Sequence, residues 1–134
     1  MTYLLDVNAL LALGFIDHEF NERVADWLIE EGYPRIATCS TTELGFVRVL
    51  AQTAGYALSV AQARTLLLRL KNNSRFRYTF LPDTHDISHL PSWVKTPRQT
   101  TDGHLVQLAK AHDAVLATLD ERIPGAYLIP RSTT

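Results

Sequence analysis

The chain has 134 residues, of which 46% are apolar and 20% charged, with only six glycines and six prolines. This composition predicts a single domain over residues 1–134 with its own apolar core, and it excludes disordered, collagen-like and low-complexity proteins. Thirteen basic residues stand against fourteen acidic ones, for a net charge of −1. Binding to a polyanion would therefore require a local basic patch.

The predicted elements alternate between strands and helices along the whole chain. Strands are predicted over residues 2–5, 35–39, 78–81, 114–119 and 127–129, and helices over 8–16, 18–31, 41–52, 59–71 and 101–112. Residues 82–99 are predicted as a loop with one helical turn. The strands are short apolar runs without polar alternation, which is typical of a parallel sheet covered on both faces. We therefore predict an α/β fold with a short, mainly parallel sheet between helices.

The spacing of apolar residues predicts which face of each helix is buried. We expect the inward residues of two helices to be Leu44, Val47, Leu50 and Ala51 in the first, and Val60, Ala63, Leu67 and Leu70 in the second. Gly32 follows the helix 18–31 and is predicted to be its C-terminal cap.

The first residues carry acidic and amide side chains inside an apolar run and have no basic leader. We therefore expect neither a signal peptide nor a membrane span. The single cysteine, Cys39, allows no intramolecular disulfide, which fits a reducing compartment. The cytoplasm is the expected location.

Four acidic residues stand at the ends of predicted strands or the starts of predicted helices. Asp6 and Asp120 directly follow the strands 2–5 and 114–119, and Glu43 and Asp102 lie in the first turns of the helices 41–52 and 101–112. In a parallel sheet, functional sites form at the carboxyl ends of the strands. We expect Asp6, Asp120 and Glu43 at that edge, whereas the position of Asp102 depends on where its helix begins.

Each of these acids also has a purely structural interpretation. Ser40-x-x-Glu43 matches a capping box, Asp102 could complement a helix dipole, and Asp120 could cap a turn. Asp6 and Asn8 could cap the helix that follows them. Asp6 is the hardest to explain in this way, because a carboxylate in such an apolar stretch needs compensation for its burial.

Several neighbouring carboxylates repel one another unless a cation lies between them. Hard oxygen ligands suit Mg²⁺ or Mn²⁺, and such a site can hydrolyse a phosphodiester with a metal-oriented water. The chain offers no convincing covalent nucleophile. The acids therefore indicate metal-dependent phosphoryl chemistry.

Three segments resemble the PIN-domain ribonucleases, specifically the VapC-type toxins of toxin–antitoxin pairs. They are LLDVNALLAL at residues 4–13, TTELGFVRVL at 41–50 and TTDGHLVQLAKAHDAVLATLD at 100–120. The resemblance implies cleavage of RNA that depends on Mg²⁺ or Mn²⁺, a homodimer, and inhibition by a cognate antitoxin protein. It places the four acidic positions of the family on Asp6, Glu43, Asp102 and Asp120, and a small polar position on Asn8.

The metal chemistry suggests a role for each of these residues. Asp6 and Asp102 are the expected principal ligands, and Glu43 completes the coordination directly or through water. Asp120 is expected to hold a second metal or position the attacking water, and Asn8 to orient Asp6 or a metal-bound water.

Basic residues concentrate between positions 64 and 77, where five of the thirteen occur. A patch there could hold RNA phosphates, although a solvated helix face explains the same pattern. The candidate RNA contacts are Arg48, Arg69, Lys71, Arg75 and Arg77. His85 and His89, with nearby aspartates, could bind zinc if they shared a helical turn, and the competing interpretation is a polar loop.

The apolar helix 8–16 is explained by core packing, or by a groove for a partner helix such as an antitoxin would supply. The leucine-rich stretch 66–70 could form a dimer interface. Two other functions remain open. One is another Mg²⁺-dependent phosphohydrolase, although a haloacid-dehalogenase-like phosphatase needs a second acid where Asn8 stands, and a receiver domain has its acceptor Asp after a middle strand. The other is a non-catalytic domain that binds RNA or protein, against which the presence of all four acids argues.

Overall fold

The computed structural model describes residues 1–132. The strands are β1 (Thr2–Leu5), β2 (Arg35–Thr38), β3 (Arg77–Phe80), β4 (Ala114–Thr118) and β5 (Tyr127–Leu128). The helices are α1 (Val7–Gly14), α2 (Asn21–Glu30), α3 (Ser40–Gln52), α4 (Val60–Lys71) and α5 (Thr100–Ala111). Two 3₁₀ turns, Ile87–His89 and Pro97–Gln99, lie in the predicted loop.

All five strands belong to one sheet in the order β3-β2-β1-β4-β5, and every neighbouring pair is parallel. The central strand is β1, where Tyr3 pairs with Ile36 on one side and with Val115 on the other. The carboxyl ends of β1, β2 and β4 therefore meet at one edge, which brings Asp6, Thr38 and Thr118 together. The predicted α/β fold is confirmed.

Alternation along the strands divides the apolar residues between two layers. Tyr3 and Leu5 face a large cluster with Trp27 and Phe46, built largely by α1, α2, α3 and α4. Leu4 faces a smaller cluster with Leu105 and its neighbours on α5. Helices thus cover both faces of the sheet, as predicted. Within residues 1–132, no helix has the length and apolarity needed to cross a membrane.

The second helix begins later than predicted, at Asn21 and not at residue 18. The preceding residues form a turn, because the Nδ1 atom of His18 accepts the backbone N–H of Phe20 at 3.1 Å. The first helix likewise ends earlier, at Gly14. Gly32, the residue after the C-cap Glu31 of α2, has a φ of 71°, which confirms its predicted role in ending the helix.

The predicted inward faces are partly wrong. Leu44 is 65% exposed and Val60 is 62% exposed, although Leu50, Ala63 and Leu67 are buried as expected. In α3 the inward face instead includes Gly45 and Phe46. A Cβ atom on Gly45 would lie 2.6 Å from Cγ2 of Val7, so this glycine lets α1 and α3 approach closely. A small residue at a helix contact is not visible in a pattern of apolar residues.

We expect Gly45→Ala to destabilise the fold by about 1–3 kcal/mol, because the β-branched Val7 side chain has little freedom to move away. The contact cost exceeds the gain in helix propensity of about 1 kcal/mol that alanine brings, so the variant is less stable overall. Urea unfolding would measure the difference. Gly55→Ala, in the turn after α3, is the control for the added methyl group alone, since no atom lies within 4 Å of its Cβ position. Equal stability of the two variants would contradict the close contact.

Candidate active site

The side chain of Asp6 lies in a network at the carboxyl ends of β1 and β4. It is only 6% exposed, and its Oδ1 atom accepts the backbone N–H of Val7 at 2.8 Å, which caps α1. Its Oδ2 atom accepts the hydroxyl proton of Thr118 at 2.7 Å. Asp6 is thus both a helix cap, as the structural interpretation held, and a buried carboxylate with a fixed orientation.

Thr118 is the centre of this network and was missed by the sequence analysis. Its hydroxyl has one proton, given to Asp6, and its oxygen accepts the backbone N–H of Asp120 at 3.0 Å and the Nδ2 amide of Asn8 at 3.2 Å. Asn8 also accepts the backbone N–H of Leu119 at 3.1 Å. Asn8 is therefore linked to Asp6 indirectly, by hydrogen bonds through the Thr118 hydroxyl. The sequence feature that could have revealed Thr118 is a hydroxyl residue at the end of an apolar strand, two residues before an acid.

Asp102 lies in the first turn of α5, where the chain passes close to a preceding loop. A Cβ atom on Gly103 would lie 2.3 Å from Cγ2 of Val94, so only glycine permits this packing. Burial raises the pKa of Asp102, and the charges of Asp6 and Asp120 raise it further. Burial also raises the pKa of Asp6 against the pull of its hydrogen bonds, and Asp120 adds to the rise. The structure thus brings three of the four acids into one electrostatic neighbourhood.

Asp120 is held by a cation from its own loop. Arg122 donates from Nε to Oδ1 at 3.0 Å and from Nη2 to Oδ2 at 3.2 Å, and its backbone N–H donates to Oδ1 at 2.9 Å. These hydrogen bonds lower the pKa of the Asp120 carboxyl. The predicted turn cap at Asp120 is present, together with an ion pair that the sequence analysis did not foresee.

Glu43 is held by a second internal cation. Its Oε2 atom accepts Lys71 Nζ at 2.7 Å, the hydroxyl of Thr38 at 2.5 Å and the hydroxyl of Tyr78 at 3.1 Å. Burial alone would raise the pKa of Glu43, but the hydrogen bonds from Lys71 and Thr38 outweigh it and the pKa is lowered. The capping-box interpretation is wrong, because the cap of α3 is Cys39, paired with Thr42.

The candidate RNA contacts are dispersed. Lys71 touches a predicted acid, through its ion pair with Glu43. Arg48 and Arg69 are exposed on α3 and α4. Arg77 pairs with Arg35 at the amino end of the sheet, and Arg75 lies just before it, so both stand at the edge away from the acids.

His85 and His89 lie in and beside a 3₁₀ turn and stack with ring centroids 4.2 Å apart and planes at 17°. Stacked rings direct their nitrogens along parallel planes and not toward a shared ion. Within residues 1–132, no group of three His, Cys, Asp or Glu side chains stands ready to hold a metal ion. The zinc interpretation is therefore wrong for the described chain.

The same result applies to the acidic edge. Among residues 1–132, its carboxylates are neighbours but do not surround a common point closely enough to coordinate a metal ion by themselves. The donors are all hard oxygens, and two of the acids have pKa values raised by burial and by neighbouring negative charge. Mg²⁺ usually keeps several waters and takes only one or two protein carboxylates. The donor set at this edge therefore fits Mg²⁺ or Mn²⁺ bound partly through water.

The family model described as PIN domain matches residues 3–127. The chain belongs to the PIN domain family. Ribonuclease VapC29 of Mycobacterium tuberculosis is 37% identical over 141 residues, covering 99% of this chain and 100% of that protein. Ribonuclease VapC44 of the same organism is 38% identical over 139 residues, covering 94% of each. The resemblance drawn from the three sequence segments is confirmed.

The fold is also that of a solved toxin. The crystal structure of VapC20 of Mycobacterium tuberculosis, described as a sarcin-ricin loop cleaving toxin, superposes with a TM-score of 0.64. The match covers 97% of this chain and 99% of that one, at 10% sequence identity. At that identity the likeness shows the PIN fold alone.

We expect Asp102→Asn to raise the free energy of unfolding at pH 7 when chelator is present, because it removes one of three mutually repelling carboxylates. The pKa of Asp102 is higher in the folded than in the unfolded protein. Protonated Asp102 therefore does not destabilise the fold at low pH, and the destabilisation grows as the pH rises through its folded-state pKa. The gain should therefore appear as the pH rises above the ordinary carboxyl range. Urea unfolding at several pH values would measure it, with the exposed Asp17→Asn as control. A gain that persists unchanged at low pH would contradict the repulsion.

Proposed function

We propose that this protein is a divalent-metal-dependent endoribonuclease and the toxin of a type II toxin–antitoxin pair. One observation carries the proposal: Asp6, Asp102 and Asp120 share one electrostatic neighbourhood at the carboxyl edge of a PIN fold. Relatives named as ribonucleases, similar over nearly the whole chain, support it.

The four acids divide into two kinds, and this division suggests their roles. Asp6 and Asp102 form no ion pair with a described lysine, arginine or histidine, whereas Glu43 is paired with Lys71 and Asp120 with Arg122. The unpaired acids are the better cation ligands, because a metal need not displace a bound ammonium or guanidinium. We assign Asp6 and Asp102 as principal ligands of Mg²⁺ or Mn²⁺. Glu43 would join through water, and Asp120 would hold a second metal or the attacking water.

When bound, the metal supplies charge neutralisation at the phosphate and a polarised water. The chain supplies the positioning. Thr118 and Asn8 hold Asp6 in one orientation, so the ligand is preorganised and loses little freedom on binding. Arg122 holds the Asp120 carboxylate through both oxygens, and this supports a role for Asp120 in orienting a water or a second metal. Lys71 and Arg122 add positive charge beside the acids, where a phosphodiester would lie.

The remaining parts of the proposal concern partners. We propose that exposed Arg48 and Arg69 contact RNA phosphates together with Lys71, and that Arg75 and Arg77 do so only if the RNA extends around the sheet to its opposite edge. We propose a homodimer, a cognate antitoxin as partner and the cytoplasm as the place of action, and similarity to proteins named VapC supports these proposals. The exposed Leu68 of α4 is a candidate dimer contact.

The first test is to incubate purified, antitoxin-free protein with structured RNAs in Mg²⁺, in Mn²⁺ and in chelator. We expect cleavage only with divalent metal, and a loss of about 100-fold or more in Asp6→Asn and Asp102→Asn, since metal-site chemistry supplies several kcal/mol. Asp17→Asn is the control and should cleave normally. Cleavage that survives in both site variants would refute the assignment of the site. RNA binding that needs no divalent cation, with no cleavage of any RNA, would favour the non-catalytic alternative.

A second test concerns Lys71. We expect Lys71→Met to raise the affinity for Mn²⁺ by a factor of about three to ten, because it frees Glu43 and removes a positive charge near the site. Calorimetric titration of Mn²⁺ would measure the affinity, with Arg69→Met as control on the same helix. The effect should be clearly smaller in a Glu43→Gln background, where only the loss of the positive charge remains. An equal increase in that background would show that Lys71 does not act through Glu43.

A further inference from the structure

A cleft beside the acidic edge is not explained by the proposed chemistry. Its walls are the first turns of α3 and α5 and the segment around the 3₁₀ turn Ile87–His89, and its volume is about 310 Å³. The lining includes Thr41, two residues before Glu43, and Thr101, next to Asp102. That volume lies at the small end of ligand-binding pockets. Two walls of the cleft are therefore the same helix turns that carry Glu43 and Asp102, and neither carboxylate is part of its lining.

The lining of this cleft, which we call the histidine cleft, is unsuited to a phosphate. It contains no lysine or arginine, and it includes the carboxylate of Asp86. Its polar groups are threonine hydroxyls and the imidazoles of His85 and His104, and its apolar groups are Ile87 and Leu90. Aliphatic surface combined with hydroxyl and imidazole groups, without lysine or arginine, suits a flat, uncharged ring with polar edges.

The histidines of the cleft are arranged for such a ligand. His104 is anchored through Nε2 to Asp83 Oδ2 at 2.6 Å, which fixes the orientation of its ring. His85 is stacked on His89, and its Nδ1 atom is enclosed without a hydrogen-bond partner among the described residues. Imidazole rings are also surfaces on which unpaired RNA bases stack.

The exposure of Ile87 also supports an unidentified ligand in the histidine cleft. Ile87 is 78% exposed, although it is a large aliphatic residue. An exposed isoleucine in a concave surface next to a nucleolytic site offers contact area to the face of a base. No core requirement places Ile87 there, since it belongs to neither apolar cluster.

We propose that the histidine cleft binds one unpaired nucleobase of the RNA, next to the phosphodiester that is cut, and so contributes to the choice of cleavage site. This inference rests on the proposed ribonuclease function and adds a substrate subsite to it. The base would stack on the surface formed by Ile87 and the histidines, and its edge would meet the threonine hydroxyls and His104.

The first test uses free nucleosides and needs no catalysis. Adenosine, guanosine, cytidine and uridine would be titrated at millimolar concentrations while the ring C–H signals of the histidines are followed by NMR. We expect saturable shifts of His85 and His104 with at least one nucleoside, and none for His112, which bonds instead to the backbone of Pro82. Shifts that are absent with all four nucleosides, or equal for His112, would overturn the subsite.

The second test uses short single-stranded RNAs bound to the Asp6→Asn protein, so that the RNA stays intact. His85→Ala should weaken binding about fivefold or more, the usual loss when an aromatic stacking surface is removed. Ile87→Ala should weaken it by a smaller, measurable factor, because it removes apolar contact area only. Ile29→Ala is the control for Ile87→Ala, because Ile29 is 56% exposed on α2 and outside the cleft. Ile87, being exposed, can be changed without disturbing the fold, so a folding defect in His85→Ala would not block the test.

An abasic nucleotide moved along the RNA identifies the base concerned. At one position, the loss from the abasic site and the loss from Ile87→Ala should not add, because both remove the same contact. Additive losses at every position would overturn the proposal. The two hypotheses can fail separately. Nucleoside-induced shifts without metal-dependent cleavage would refute the ribonuclease function but support base binding in the cleft. Metal-dependent cleavage without such shifts would support the ribonuclease function and refute base binding in the cleft.

Discussion

The acidic edge depends on one hydrogen bond, from the hydroxyl of Thr118 to the carboxylate of Asp6 at 2.7 Å. It joins the ends of two neighbouring strands that lie 112 residues apart in the sequence. The threonine uses its single proton on Asp6, and its oxygen accepts from Asn8 and from the backbone of Asp120. One buried hydroxyl therefore sets the positions of an acid, an amide and the start of the loop that carries a second acid. Without it, Asp6 would be a nearly buried carboxylate with a backbone N–H as its remaining partner, which is costly.

The charges at this edge are balanced unequally, and the imbalance divides its acids into two kinds. Glu43 and Asp120 each form an ion pair, with Lys71 and Arg122, and their pKa values are lowered. Asp6 and Asp102 form none within residues 1–132, and their pKa values are raised by burial and by neighbouring negative charge. The fold thus keeps two carboxylates in a state that an external cation would relieve. The stability lost by this repulsion is offset by the packed core around the acidic edge.

The departures from the sequence predictions share one physical cause. Apolar periodicity shows which residues favour burial, but not which of two adjacent stripes of a helix meets its neighbour. In α3 the contact is made by Gly45 against Val7, so the helix turns Leu44 toward solvent. Gly103 similarly lets the loop at Val94 pack against the start of α5 and so helps to place Asp102. In both cases the deciding residue is one with no side chain, whose role becomes visible only when a neighbour is present.

The sequence by itself determined the order of strands and helices, the parallel α/β fold and the family, because these depend on local patterns and on motifs of contiguous residues. Only the tertiary structure decided how the acids are held. Lys71 meets Glu43 across 28 positions, and Thr118 meets Asp6 across 112. A lysine on a helix reads as a solvated charge, and a threonine at a strand end as a strand former, until the sheet brings their partners within hydrogen-bonding distance. Burial, ion pairing and the resulting pKa values depend on neighbours that are distant in the sequence, and so they arise only from the assembled fold.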